Sequence, residues 1–224
     1  MSEQKNILCN KQNLMFISLI AEKINVLIVG GGKAGYLKAK AFCTKGCNIE
    51  IISLDFIEEL KILSENENVK LINKSYSKDY LDEYHIIVIA VSDNKLIETI
   101  IADCDKKKKL YLNCSNYKEG LLGVPYQQDT EEFLFGVQSK KVNPKLSVYV
   151  GDKIKKIISE HDEFAKFSGA VRDNISDIDN KREVMDFICS DSFKFFFDKK
   201  KHQLALELFY GGNCFGDKNS NKEK

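Results

Sequence analysis

The chain has no surplus of charge of either sign: 34 lysines and arginines face 33 aspartates and glutamates in 224 residues, a net charge of +1. Composition therefore gives no support for a broad basic or acidic surface that would hold nucleic acid or an anionic membrane. No apolar run approaches the roughly 20 residues that a membrane span needs, because hydrophobic stretches are short and broken by charge. The start, Met1 to Asn6, lacks the basic-then-apolar order of a secretory signal, so a cytoplasmic protein is expected. Cys-x-x-Cys pairs are missing as well. Cys9, Cys43, Cys47, Cys104, Cys114, Cys189 and Cys214 are odd in number and scattered, which makes neither a disulfide framework nor a zinc cage. Of three isolated histidines only His161 has carboxylate neighbours, Glu160, Asp162 and Glu163. A solvated helix face accounts for that cluster, and no metal site is expected.

What is present concentrates between Ile24 and Tyr36. Val26 to Val29 is an unbroken aliphatic run of the kind a strand buried on both faces requires. Gly30, Gly32 and Gly35 follow with G-x-G-x-x-G spacing, and Lys33 to Phe42 continues as a helix whose Ala34, Ala39 and Ala41 are small enough to lie close to a sheet. One glycine makes the tight turn, one lets backbone N–H groups reach a pyrophosphate, and one lets helix and strand approach. Partial positive charge at the helix N-terminus favours the phosphates. Gly30, Gly31, Gly32, Lys33, Ala34 and Gly35 are therefore candidate dinucleotide-binding residues.

The rest of the first half alternates. Asn48 to Ser53 reads as a second strand, Phe56 to Leu63 as a helix, Val69 to Ile72 as a third strand and Tyr84 to Val91 as the strongest strand. Ser53 and Asp55 stand where a Rossmann fold contacts the cofactor ribose. The absence of an arginine beside them favours NAD, with NADP left open. Val91, Ser92 and Asp93 form a polar strand end that can contact ligand and cap the helix Lys95 to Asp103. Lys106 to Lys109 reads as a solvated loop before Leu110 to Cys114. This alternation spells an α/β fold with a parallel, Rossmann-like sheet. Before it, Leu14 to Ile20 is apolar enough to cover a sheet edge, and residues 1 to 13 read as a loose leader. After it, Phe133 to Val137 and a turn at Asn143 and Pro144 suggest a hairpin. Helical stripes follow from Leu146, the aromatic one at Phe193, Phe195, Phe196 and Phe197 reading as core, and a polar tail begins at Gly211.

Over roughly residues 14 to 165 these features together resemble the precorrin-2 dehydrogenases, also called siroheme synthases of the dehydrogenase and ferrochelatase type. The likeness is carried by the lead-in Leu14 to Leu19, by Gly30 to Lys33 with Lys38 beyond, and by the strand ending at Ser53. It is carried further by Tyr76 and Leu81, by Ala90 to Asp93 where the family has Ala-Ala-Thr-Asp, and by Pro125 and Pro144 at the family's proline spacing. The resemblance implies an NAD-binding domain over 1–115, a dimerisation segment over 116–146 that exchanges between protomers of a homodimer, and a helical C-terminal domain over 147–224. It implies oxidation of a tetrapyrrole, precorrin-2, to sirohydrochlorin by NAD, with ferrochelatase activity added in some members.

Two departures qualify it. Asn113, Cys114 and Ser115 match the family's Asn-Val-Val, and Asn116 then stands in place of its aspartate. An amide cannot accept a proton at neutral pH, so a feeble dehydrogenase is expected, quickened by Asn116→Asp, with Glu119 as the candidate substitute. Where the family has Ser-Thr-Gly-Gly-Lys-Ser-Pro, this chain has Gln138 to Pro144, with Lys140 and Lys141 replacing the glycines. The resemblance thus implies Asn116, Ser115 and Glu119 as catalytic candidates and Asn113, Lys140, Lys141 and Asn143 as substrate-binding ones. The alternative is a weakened relative that binds dinucleotide or tetrapyrrole as a carrier or regulatory partner.

Overall fold

A computed structural model describes residues 14–210 except 142, 176 and 177 and divides the chain into two compact units at Val124/Pro125. The leader and tail read from the sequence, residues 1–13 and 211–224, lie outside the described residues. The first unit is built on five parallel strands, β1 (Asn25–Val29), β2 (Asn48–Ser53), β3 (Val69–Asn73), β4 (Ile86–Ile89) and β5 (Leu110–Asn113), in the order β3-β2-β1-β4-β5. Helices α1 (Lys33–Cys43), α2 (Glu58–Leu63) and α3 (Asn94–Lys106) lie between strands in the chain.

Side-chain alternation decides which helix covers which face. Val26 and Ile28 of β1 pack with Ala39 of α1 and Leu60 of α2, whereas Leu27 and Val29 point the other way, to Leu81 and to Ile97 and Ile100 of α3. Both faces are covered, so the two central strands are apolar from Val26 to Val29 and from Ile86 to Ile89. Each such side chain stabilises the fold by roughly 1.5–3 kcal/mol on burial. Polar groups are thereby driven to the strand ends.

The chain departs from the sequence-based expectation at several joints. Leu14 to Ile20 covers no sheet edge and stays exposed, Met15 at 79%. The helix expected from Phe56 begins at Glu58, because the Ile57 N–H bonds the carbonyl of Gly31 at 3.1 Å and draws the chain over the glycine loop. Lys106 to Lys109 is more than a solvated loop. The Lys107 ammonium reaches the Asp82 carboxylate at 2.8 Å and the Lys78 carbonyl at 3.0 Å, holding the Asp82 carboxyl below its usual range. Lys109 reaches the carbonyls of Asp82 and Tyr84 at 3.0 and 2.9 Å. Together they clasp the 3-10 turn Lys78–Glu83 to the start of β5. Residues 116–124, expected to open the dimerisation segment, pack with the first unit: the N–H groups of Leu121 and Leu122 bond the Tyr111 carbonyl, and Leu122 and Val124 join the core.

The second unit begins with an antiparallel hairpin, β6 (Tyr126–Asp129) against β7 (Leu134–Val137), on which α4 (Pro144–Ser159) packs. Its close approach needs Gly151, where a Cβ would fall 2.6 Å from the Tyr126 ring. The turn expected at Asn143 and Pro144 is instead the start of α4, with Asn143 Oδ1 accepting from the Leu146 N–H at 3.1 Å and proline in the first turn. Helices α5 (Asp162–Asn174), α6 (Ile178–Ile188), α7 (Asp191–Asp198) and α8 (His202–Tyr210) enclose a separate core around Val171, Val184, Ile188 and Phe193. Phe193 is fully buried against the rings of Phe164, Phe167 and Phe187, while Phe195 is 59% exposed, so the aromatic stripe is only in part core. Among the described residues no helix is long and apolar enough to cross a membrane.

The lysine clasp is testable. Lys109→Met is expected to lower stability by about 1.5–3 kcal/mol in urea denaturation, the worth of hydrogen bonds to a charged donor, whereas the exposed Lys106→Met should stay within about 0.5 kcal/mol.

Candidate functional site

Strand order reverses between β1 and β4, and at such a point neighbouring connections leave the C-terminal sheet edge in opposite directions and open a crevice. A cavity of about 530 Å³ lies there, within the usual range for small-molecule sites. Its walls are Gly30 to Ala34 after β1, Ser53 at the end of β2, Ala90 to Asp93 after β4, Leu96 of α3, and Cys114 and Ser115 after β5.

The four glycines divide the work. Gly30 has φ +124°, and a Cβ there would fall 2.3 Å from the Ala90 carbonyl oxygen. At Gly31 a Cβ would meet the Asp55 carbonyl oxygen at 2.0 Å and the Ser53 side chain at 2.9 Å. At Gly35 it would fall 2.2 Å from the Gly30 carbonyl oxygen, where α1 crosses the loop. These three let backbone meet backbone. Gly32 differs, since a Cβ there meets nothing within 4 Å, while the residue itself lines the cavity. It precedes α1 without a capping side chain, and no acidic residue sits in the first turn. The first N–H groups of α1 thus have no side-chain acceptor and face a ligand-sized space, as an anion site requires.

Other expected residues take varied positions. Ser53, Val91, Ser92 and Asp93 line the cavity, but the Asp93 carboxylate accepts the N–H groups of Lys95 and Leu96 at 2.9 and 3.3 Å and so caps α3. Asp55 is absent from the walls and contributes its carbonyl behind Gly31. Asn113, expected to contact substrate, is instead 3% exposed, with Oδ1 accepting from the Ser115 N–H at 2.9 Å and Nδ2 donating to Glu119 Oε2 at 2.9 Å. Asn116 Nδ2 donates to Glu119 Oε1 at 2.7 Å, and Asn116 Oδ1 accepts from the Lys118 N–H at 3.3 Å. Asn113, Ser115, Asn116 and Glu119 therefore form one bonded group at the end of β5. Lys140, Lys141 and Asn143 belong to the second unit, in a loop wound on the Ser139 hydroxyl, which accepts from the Asn143 N–H at 2.9 Å and donates to the Lys141 carbonyl at 2.8 Å.

Sequence reasoning missed three wall residues, Ala90, Leu96 and Cys114. The rule that ligands sit at the C-terminal ends of strands flanking the reversal would have found Ala90 and Cys114; Leu96 depends on how α3 is set. Burial pushes the Cys114 thiol up, with the Lys38 ammonium opposing in part, so a neutral thiol faces the cavity at neutral pH. Among the described residues no cluster of three metal-ligating side chains occurs.

Gly32→Val is expected to abolish dinucleotide binding in titration calorimetry while leaving the thermal midpoint nearly unchanged; Gly35→Val, forced against the Gly30 carbonyl, should lower the midpoint sharply. Comparison with known proteins agrees with this assignment. Residues 17–126 match the family described as "Putative NAD(P)-binding". Siroheme synthase of Buchnera aphidicola subsp. Acyrthosiphon pisum is 22% identical over 204 residues, 89% of this chain and 40% of that enzyme. A protein of Methanocaldococcus jannaschii described as "Putative precorrin-2 dehydrogenase" is 28% identical over 145 residues, 60% of this chain and 68% of its own. Among solved structures, that of SirC, precorrin-2 dehydrogenase, shares the fold with a TM-score of 0.67 at 17% identity, covering 88% of this chain and all of that one. The chain spans two fifths of the length of the Buchnera enzyme. Residues 17–126 thus match an NAD(P)-binding model, and the chain is similar to the siroheme synthases and precorrin-2 dehydrogenases that its motifs resemble.

Proposed function

We propose that the protein is an NAD-dependent precorrin-2 dehydrogenase, oxidising precorrin-2 to sirohydrochlorin in the cytoplasm. The observation that carries this is the uncapped α1 N-terminus behind Gly32, open to a cavity at the strand-order reversal. The backbone N–H groups at the start of α1 would hold the pyrophosphate, with Lys33 beside them, and the Ser53 hydroxyl would meet the ribose. No arginine adjoins Ser53 to pair with a 2′-phosphate, which favours NAD over NADP. NAD supplies the hydride acceptor; the protein's part is to orient substrate, exclude water and remove a proton. The exposed Lys140 and Lys141 suit the carboxylates of a tetrapyrrole. Free thiols at the five described cysteines suit a reducing compartment.

The same reading includes a homodimer formed through the β6–β7 hairpin. Two strands of four residues make a marginal sheet with open edges, and Phe133 and Leu134 are 40% and 60% exposed on it.

Purified protein mixed with precorrin-2 and NAD should yield sirohydrochlorin and NADH in equal amounts, followed by absorbance. NAD binding without turnover would point to the carrier or regulatory alternative. Light scattering at micromolar concentration should give twice the chain mass of 25.6 kDa; a monomer would remove the dimer.

A further inference from the structure

We infer that Glu119 is the group that accepts the substrate's proton, and that the buried amide of Asn113 is the positioning residue that holds it at the cavity rim. This rests on the dehydrogenase reading above. Removing two hydrogens from a substrate as a hydride and a proton needs a base, and the cavity wall offers few. Lys33 is an ammonium. The Asp93 carboxylate serves as the cap of α3, its Oδ1 accepting the N–H groups of Lys95 and Leu96, so its place is set by the helix start. Cys114 is a neutral thiol. Ser115 has its hydroxyl on the Val91 carbonyl at 3.4 Å, with no base beside it to activate it. Asn116 is an amide.

Glu119 is one amide away from the wall. Asn113 Oδ1 accepts from the N–H of Ser115, a wall residue, and Asn113 Nδ2 donates to Glu119 Oε2, so a single buried side chain links the carboxylate to the cavity wall. The amide has one workable orientation, because a flip would set its oxygen against the carboxylate and its NH2 against an N–H donor. Asn116 Nδ2 holds the other carboxylate oxygen at 2.7 Å. Each oxygen keeps a second lone pair free, and the exposed side of Glu119 gives a path to water.

In the step, the hydride leaves a substrate carbon for NAD, which becomes NADH. A proton leaves the adjacent N–H or C–H bond for the Glu119 carboxylate, and the electrons of that bond form the new double bond. The resulting carboxylic acid returns its proton to water. Asn116 is then a clamp. A carboxylate at 116 would face Glu119 Oε1 across 2.7 Å and displace it, so Asn116→Asp should slow the enzyme, the reverse of the expectation from sequence.

The test measures turnover, NAD affinity and amide hydrogen exchange. Glu119→Gln should cut kcat by about a hundred- to ten-thousand-fold with an unchanged NAD dissociation constant, and Glu119→Asp should recover part of it. Asn113→Ala should lower kcat with little change in KM, and in the cofactor-free protein should speed exchange of the Ser115 amide, which loses its acceptor. Glu119→Gln turning over within about threefold of wild type would overturn the role of Glu119 and leave the dehydrogenase standing; faster turnover by Asn116→Asp would overturn it too. Wild-type protein that binds NAD and forms no sirohydrochlorin would remove the dehydrogenase and this role together.

Discussion

The first unit depends on backbone meeting backbone where β1 gives way to α1. Gly30 lies against the Ala90 carbonyl, Gly31 against that of Asp55, and Gly35 against that of Gly30. No methyl group fits at any of the three. This contact brings the connections after β1, β2 and β4 to one place and sets α1 across the sheet, so that its N-terminal N–H groups face the cavity. Burial of both sheet faces acts in the same direction. With Val26 to Val29 and all of β4 apolar, the polar groups that line the cavity stand at the C-terminal edge, and there the loop is assembled.

Much of this was legible because it is local. Strand, glycine spacing and small-residue helix occur within a few residues of one another, and their order in the chain is their order in space. Ser53 and Val91 to Asp93 were legible for a related reason: strand ends in a parallel sheet point to one edge. What stayed hidden depends on side chains meeting from distant positions. Nothing in the spacing of four consecutive lysines says that Lys107 and Lys109 would fasten residues 78–84. Asn113 looks like any polar residue closing a strand; only the folded chain shows it buried, with Ser115 on one side and Glu119 on the other. The resemblance set residues 116–124 at the start of the dimerisation segment, and two hydrogen bonds to the Tyr111 carbonyl tie them to the first unit, a pairing that no local pattern announces.

The second unit follows another logic. Its helices run from 8 to 16 residues, and the core is aromatic, with Phe193 at its centre. His202 enters this core between Phe167 and Phe197, at 4.8 and 5.0 Å between ring centres, and its Nδ1 is buried with no hydrogen-bond partner among the described residues. Stacked rings can be assembled from many helix registers, so periodicity announces helices here without saying which aromatic residue is innermost. That is why Phe193 and Phe195, two residues apart, have opposite fates.

The unequal roles of the glycines bear on how such a protein drifts under mutation. At positions 30, 31 and 35 a side chain disturbs folding itself, and selection for an intact chain would remove it whatever the protein does. At position 32 the added atoms enter empty space. Loss of the cofactor is therefore a single substitution away from a chain that still folds, and a lineage relieved of its chemistry would be free to take that step while keeping the scaffold. Packing alone does not demand glycine at 32, as it does at the other three positions.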